Sequence, residues 1–350
     1  MILQQTKQLL EHKRNRHALD EYVVIVGSQQ HEETLLSDGA DMDTLFDIAS
    51  TGKVLITSTL ILKAISEEKL ALGDTLEKFF PMVPQEKQKI TVKDLLTHTS
   101  GIVRYDIPKE ICVKRNDSIA QYILSKPLAF APGTSYQYSC TGYLLLGFIA
   151  EKAFGAGLDE LYYTYIKQPL HLTKSGFNMP VDEPNSVNCC YSREQYGDNA
   201  IADEIVTCMR GGIAGNGCSF WSGNDYLKWI EAIMNKSEVF YKKEYYEIAE
   251  KNYTPDFAEG RGLGYLVVDE NYRQTGKLFP VGSFGHCGHS GVSFFVNREK
   301  ALFVILLTNA TRCAYRNSHW ENRDYRVTMQ LREDVHNAIY RDLNENGKSL

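Results

Sequence analysis

The stretch FDIASTGKV (residues 46–54) sets a serine and a lysine three positions apart at the mouth of an apolar run. Val54, Leu55, Leu60, Ile61 and Ile65 recur with helical spacing, which predicts a helix from Thr51 to about Ile65 with Ser50 at its start. Residues at i and i+3 touch on a helix face, so Lys53 can reach the Ser50 hydroxyl. A serine hydroxyl needs a neighbouring base, and a lysine serves when burial or another cation lowers its proton affinity. FDIAS in front and VLITSTLIL behind are apolar enough to provide that burial. A second S-x-x-K, Ser66 to Lys69 in SEEKL, lies beside two glutamates that hold the amine protonated, so it reads as solvated surface.

Outward from this stretch, the chain begins with a helical pattern (about 3–16) whose basic end, HKRNRH (12–17), places cations near a helix C-terminus. Two strands follow, EYVVIVGS and HEETLLSDG. In the middle, TVKDLLTH opens with Thr91 and Asp94 as a capping-box pair, and TGYLLLGFIAEKAFG reads as a buried helix ended by Gly155. After about residue 260, GLGYLVVDE, GSFGHCGHS, GVSFFVNRE and ALFVILLTN are short β-rich runs, the pattern of an antiparallel meander. VTMQLREDVHNAIYRDL closes the chain as an amphipathic helix. The expected architecture is α+β in three αβα layers, one domain over 1–350. Its sheet lobe would come from about 1–48 and 205–350, with a helical lobe over about 49–204 inserted. A cleft between such lobes is where a small-molecule site is expected.

The chain has 350 residues, 43% hydrophobic and 23% charged, an ordinary globular balance. A net charge of −6 offers no basic field for phosphates, which argues against nucleic acid as a partner. No apolar run is long enough to span a bilayer, and the N-terminus has no signal-peptide pattern, so no membrane partner is expected. Eight scattered cysteines, with one adjacent pair at Cys189–Cys190, read as reduced thiols of a cytoplasmic protein. Neither they nor the nine histidines fall at zinc-ligand spacing, so no metal or other cofactor is expected.

Two further stretches carry polar groups suited to chemistry. PGTSYQYSCTGYLLLG (132–147) contains Tyr138; a tyrosine held near a lysine and a serine can relay protons to a leaving group, although one of 21 tyrosines is more often a core aromatic. FGHCGHSG (284–291) is a glycine-rich predicted strand along which a ligand can lie, with His286 presenting a polar group. No G-x-S-x-G elbow and no H-E-x-x-H occurs, which disfavours an α/β-hydrolase and a metal hydrolase.

Three motifs in this order resemble the serine β-lactamase and penicillin-binding protein superfamily, most closely its class C β-lactamase-related branch of esterases and D-amino-acid peptidases. ITVKDLLTHTSGI, YSCTGYLLLGFIAEK, GGIAGNGCSFWSGNDYLKWI and GHSGVSFFVNREKALFVILLTN support the resemblance, which covers roughly residues 40–310. It implies a β-lactamase/transpeptidase-like fold and an acyl-enzyme mechanism. By that resemblance Ser50 is the nucleophile, Lys53 its base partner and Tyr138 the tyrosine of Y-x-N. His286, Cys287 and Gly288 stand where the family has K-T-G or H-x-G, and the N–H groups of Ser50 and His289 form the oxyanion hole.

Two positions depart from the pattern. Cys140 replaces the asparagine of Y-x-N, and a thiol donates and accepts more weakly than an amide. His286 replaces the lysine of K-T-G, leaving no fixed cation there for a substrate carboxylate. The K-S-G in TKSG (173–176) falls too early in the chain and reads as loop. The departures favour an ester or neutral-ended amide substrate over a β-lactam-like one. The alternative is a non-turnover, penicillin-binding or sensor-type protein on the same fold; a vestigial cleft with only a structural role is opposed by the intact serine, lysine and tyrosine. The segment 182–204 reads equally as a rim over the cleft or as plain surface.

Overall fold

Leu302–Thr308 is buried along its whole length because it forms an interior strand of a seven-stranded antiparallel sheet. The computed structural model describes residues 2–28, 31–105, 107–112, 116–177, 187–188, 212–217, 219–270, 272, 274–317 and 326–345. Its strands are β1 Tyr22–Ser28, β2 His31–Leu36, β3 Leu45–Asp47, β4 Ser175–Phe177, β5 Val187–Asn188, β6 Ser219–Trp221, β7 Gly260–Arg261, β8 Leu266–Val267, β9 Phe284–Cys287, β10 Ser293–Asn297 and β11 Leu302–Thr308. The large sheet runs β2-β1-β11-β10-β9-β8-β7, and a small one runs β4-β6-β3-β5.

Register follows from side-chain alternation, since successive residues of a strand face opposite sides. Val24 pairs with Leu306 and Ile25 with Ile305. Val23, Ile25, Phe294, Val296, Ile305 and Leu307 face one core, and Val24, Val26, Phe295, Val304 and Leu306 face the other. Both faces of the sheet are thus covered.

The helices are α1 Gln4–Asn15, α2 Thr59–Ser66, α3 Leu76–Phe79, α4 Val92–Leu96, α5 Lys109–Cys112, α6 Asn116–Leu124, α7 Cys140–Phe154, α8 Leu158–Tyr162, α9 Gly223–Met234, α10 Glu244–Glu250, α11 Ala310–Asn317 and α12 Arg326–Glu345. The chain's two ends close one face: Leu10 of α1 packs with Leu331, Val335 and Ile339 of α12. The basic run ending α1 also ties these helices, through Lys13 to Asp334 at 2.7 Å. The fold is the mixed α+β arrangement expected from the alternation of patterns.

On the other face, α7 is the buried spine. Thr141 to Ala150 are all buried, Ser139 caps its N-terminus by accepting the Gly142 N–H at 3.0 Å, and Gly155 ends it at φ +74°. Gly215 lies directly on this helix: a Cβ there would stand 2.5 Å from the Tyr143 carbonyl and 2.8 Å from Gly147 Cα. The capping box of Thr91 and Asp94 on α4 is formed as the spacing predicts.

Three local expectations need correction. The helix after Ser50 is not one regular α-helix: it is a 3₁₀ turn over Ala49–Thr51, a π-helix over Lys53–Ser58, and only then α2. TKSG is not loop, because Ser175 and Gly176 begin β4 and pair with β6. Ser66 is not solvated surface: it is buried and accepts the Lys242 N–H, while Lys69 pairs with Glu67. Segment 182–204, like Cys189–Cys190, lies outside the described residues apart from Val187 and Asn188.

Candidate active site

The Ser50 turn is held from several sides. Asp47 accepts the Ala49 N–H at 2.8 Å, the Thr51 hydroxyl donates to the Ile48 carbonyl at 2.7 Å, and the Ser290 hydroxyl donates to the Asp47 carbonyl at 2.6 Å. Ala49 sits at φ +45°, a conformation that costs an alanine energy and that neighbouring contacts must enforce. Ser50 itself stays half-buried, so a substrate can reach it.

The π-helix that follows is a wide turn of the kind often found at functional sites. From it Lys53 projects with no exposed surface; its Nζ lies 3.0 Å from Ser50 Oγ and also donates to the Asn216 carbonyl. Asn216 belongs to the glycine-rich stretch that Gly215 lays against α7, and the Thr57 hydroxyl grips the same stretch at the Gly215 carbonyl, 2.6 Å away. Close backbone packing is therefore what lets the lysine find a fixed acceptor. Nothing local in GGIAGNG signals this contact, because Asn216 and Lys53 are 163 residues apart.

Tyr138 closes the second side. Lys53 Nζ is 5.3 Å from its ring centre and 5.9 Å from that of Tyr143. The Tyr138 hydroxyl is sealed from solvent; burial raises its pKa, while Lys53 and a contact with Ser50 oppose that rise. Neither contact has ordinary hydrogen-bond geometry, so the phenol lies beside the pair without being bonded to it. Cys140, two residues on, is a half-buried free thiol at the first position of α7.

Strand β9 forms the third side. A Cβ on Gly288 would stand 2.4 Å from Val292, 2.8 Å from the Ile48 carbonyl and 3.3 Å from Ala49, so only glycine lets the strand end lie on the Ser50 turn. This brings the backbone of Gly288 onto the turn that carries Ser50. Arg332 of α12 donates to the Gly288 carbonyl at 3.0 Å and fixes the strand end from behind. His286 is buried, its Nδ1 2.8 Å from the Cys287 carbonyl and its ring 6.1 Å from that of Tyr138. Burial, then the charges of Arg261 and Lys53, push its pKa well below the usual histidine value, so it is neutral. The structure thus gathers Ser50, Lys53, Tyr138, His286 and Gly288 into one cluster, with Cys140 beside Tyr138 and His289 next along the chain from Gly288.

Two residues absent from the sequence reading join them. Arg261 on β7 is buried, donates to the Tyr136 hydroxyl at 2.6 Å, pairs with Glu259 at 2.5 Å, and sets its guanidinium 5.4 Å from the Tyr138 ring centre. Burial alone would lower its pKa, but Tyr136 and Glu259 outweigh that and keep it a cation. No motif marks it, because Tyr136 and Tyr138 meet it only in the folded chain. His98 is buried in THTSG with its ring 4.5 Å from that of Tyr138.

The buried histidines make stability fall in acid. Burial leads the downward shift in His98, His286 and His336, reaching about 3 in His336. Their folded pKa values lie below the unfolded value near 6.5, so the unfolded chain binds more protons as pH drops through that value, and stability is lost below it. For His336 alone the urea-unfolding free energy should be about 2 kcal/mol lower at about pH 5 than at about pH 7.5, with His98 and His286 acting in the same direction. Equal midpoints at the two pH values would show that these imidazoles are not held neutral.

A family model described as Beta-lactamase matches residues 16–327. A protein of Escherichia coli K12 named D-alanyl-D-alanine carboxypeptidase is 25% identical over 304 residues, covering 77% of this chain and 70% of that one. The fold is also that of solved structures. The octameric penicillin-binding protein homologue from Pyrococcus abyssi superposes with a TM-score of 0.71 at 22% identity, over 95% of this chain and 76% of that one. EstCE1, described as a hydrolase with promiscuous acyltransferase activity, gives 0.74 at 18% identity, over 97% and 98%.

Proposed function

The chain belongs to the Beta-lactamase family, and on that premise we propose that it is a serine hydrolase, a single catalytic domain that forms an acyl-enzyme on Ser50 with an ester or amide substrate. The observation that carries this reading is the wholly buried Lys53 amine 3.0 Å from the Ser50 hydroxyl. The amine also donates to the Asn216 carbonyl, which fixes it beside the serine, and in its neutral form its lone pair can accept the serine proton. Ser50 Oγ then attacks the substrate carbonyl, and Lys53 takes its proton. The N–H groups of Ser50 and His289 receive the oxyanion. Tyr138 relays the proton to the leaving group, and a water molecule cleaves the acyl-enzyme to release the acid and restore Ser50.

A neutral His286 at the K-T-G position favours esters and neutral-ended amides over substrates that need a cation there. Amides are the bond class named in the carboxypeptidase relatives. The scattered cysteine spacing supports a reducing, cytoplasmic setting.

Incubation with a fluorophosphonate probe and with p-nitrophenyl esters tests the assignment: labelling at Ser50 together with turnover supports it, and the absence of both rejects it. Cys140 favours a second reading, a sensor acylated once and not turned over, which labelling without turnover would establish. For the hydrolase, Cys140→Asn should preserve ester turnover and raise activity on peptide-like amides, because the amide can both donate to and accept from a substrate peptide group. A loss of about tenfold or more in kcat/KM, about 1.4 kcal/mol, would give the thiol a role of its own.

A further inference from the structure

His98 touches the Tyr138 segment at three points. Its carbonyl accepts the Gln137 N–H at 3.1 Å, its Nδ1 accepts the Ser139 N–H at 3.1 Å, and its ring packs on the Tyr138 ring at 4.5 Å. The two amides are those immediately before and after Tyr138. Ser139 in turn caps α7, so the same contact fixes where that helix starts. Next to it, the Thr99 carbonyl accepts the Gly133 N–H and the Gly101 carbonyl accepts the Ala129 N–H, which aligns THTSG along the segment leading to the tyrosine.

Space filling alone does not account for this arrangement. His98 sits at φ +59°, a conformation that most side chains adopt at a cost, and it turns the ring so that Nδ1 meets the Ser139 amide. Because Nδ1 accepts, the neutral ring carries its proton on Nε2, which is buried and without a hydrogen-bond partner among the described residues. Protonation of Nδ1 would set two donors face to face. Burial, then the charge of Arg261, hold the ring neutral, consistent with the acceptor role.

We propose that His98 is a positioning residue for the acyl-transfer centre: it clamps the backbone on both sides of Tyr138 and so holds the phenol beside Ser50 and Lys53. The proposal rests on the serine-hydrolase reading for its catalytic consequence, but the clamp is a physical contact with its own readout.

Three variants and two measurements test it. His98→Asn keeps an acceptor oxygen near the Nδ1 position and tolerates positive φ, whereas His98→Gln carries the same amide one methylene too far, and His98→Ala has none. Hydrogen exchange at the Ser139 amide should rise in the Ala and Gln variants and remain slow in Asn. With p-nitrophenyl esters, kcat should fall about 10²-fold in Ala and Gln with KM little changed, the loss expected of a misplaced catalytic group, and Asn should restore most of it. If Gln matches wild type in both measurements, or if Ser139 loses protection while kcat is unchanged, the proposal is overturned. Absence of labelling and turnover in the wild-type protein would instead reject the hydrolase reading, with exchange at Ser139 still deciding whether the clamp exists. Should the alanine variant not fold, the Asn and Gln pair decides alone.

Discussion

Ser50→Ala should abolish ester hydrolysis, lowering kcat by about 10⁴- to 10⁶-fold, the range seen when a nucleophile acting as part of a unit is removed. The fluorophosphonate adduct should vanish with it. Ser50 is half-buried, and the structure shows its hydroxyl bonded to Lys53, so little packing is lost. The turn keeps the Asp47, Thr51 and Ser290 hydrogen bonds, none of which involves the Ser50 side chain. The cost to stability should stay near the 1–3 kcal/mol of leaving one buried partner unsatisfied. The protein should therefore remain folded and inactive, as circular dichroism and a thermal melt would confirm. Hydrolysis by the variant at the wild-type rate would place the chemistry elsewhere.

Lys53→Ala should stop acylation while the fold survives, with a fall of about 10²- to 10⁴-fold in the rate of probe labelling, the usual worth of a positioned proton acceptor. This substitution also empties a fully buried site and leaves the Asn216 carbonyl without its lysine donor, so it should cost more stability than Ser50→Ala. Lys53→Met separates the two effects. It fills most of the space with an unbranched apolar chain and has no amine. Both variants should label equally slowly, and methionine should melt at the higher temperature. Wild-type labelling in Lys53→Met would remove the lysine from the mechanism.

The large sheet was readable because burial on both faces writes itself into composition: β11 is apolar from Leu302 to Leu307, and β10 alternates between two cores. The Ser50–Lys53 spacing was readable because neighbours on one turn of helix need no information from elsewhere. The exact helical form was not. Spacing of apolar residues cannot separate a π-helix from an α-helix, and the wide turn at Lys53–Ser58 emerges only in the folded chain.

The site's supporting residues were least legible. Arg261 reaches Tyr136 and Tyr138 across more than a hundred positions of sequence, and no local pattern distinguishes it from the chain's other arginines. His98 carries a faint signal, since THTSG belongs to a stretch that supports the family resemblance, but the hydrogen bond from Ser139 spans 41 residues.

What the sequence determined by itself is whatever periodicity and short spacing encode: two-sided strands, a buried helical spine, and a serine with a lysine one turn away. What only the tertiary structure decided is the electrostatic setting of that pair. The Asn216 carbonyl at the amine, the neutral state of His286 and the buried guanidinium of Arg261 all arise from segments distant in the chain. The physical reason is that burial and charge act through space, across a packed interior that excludes water, whereas local sequence constrains only the few bonds on either side of a residue.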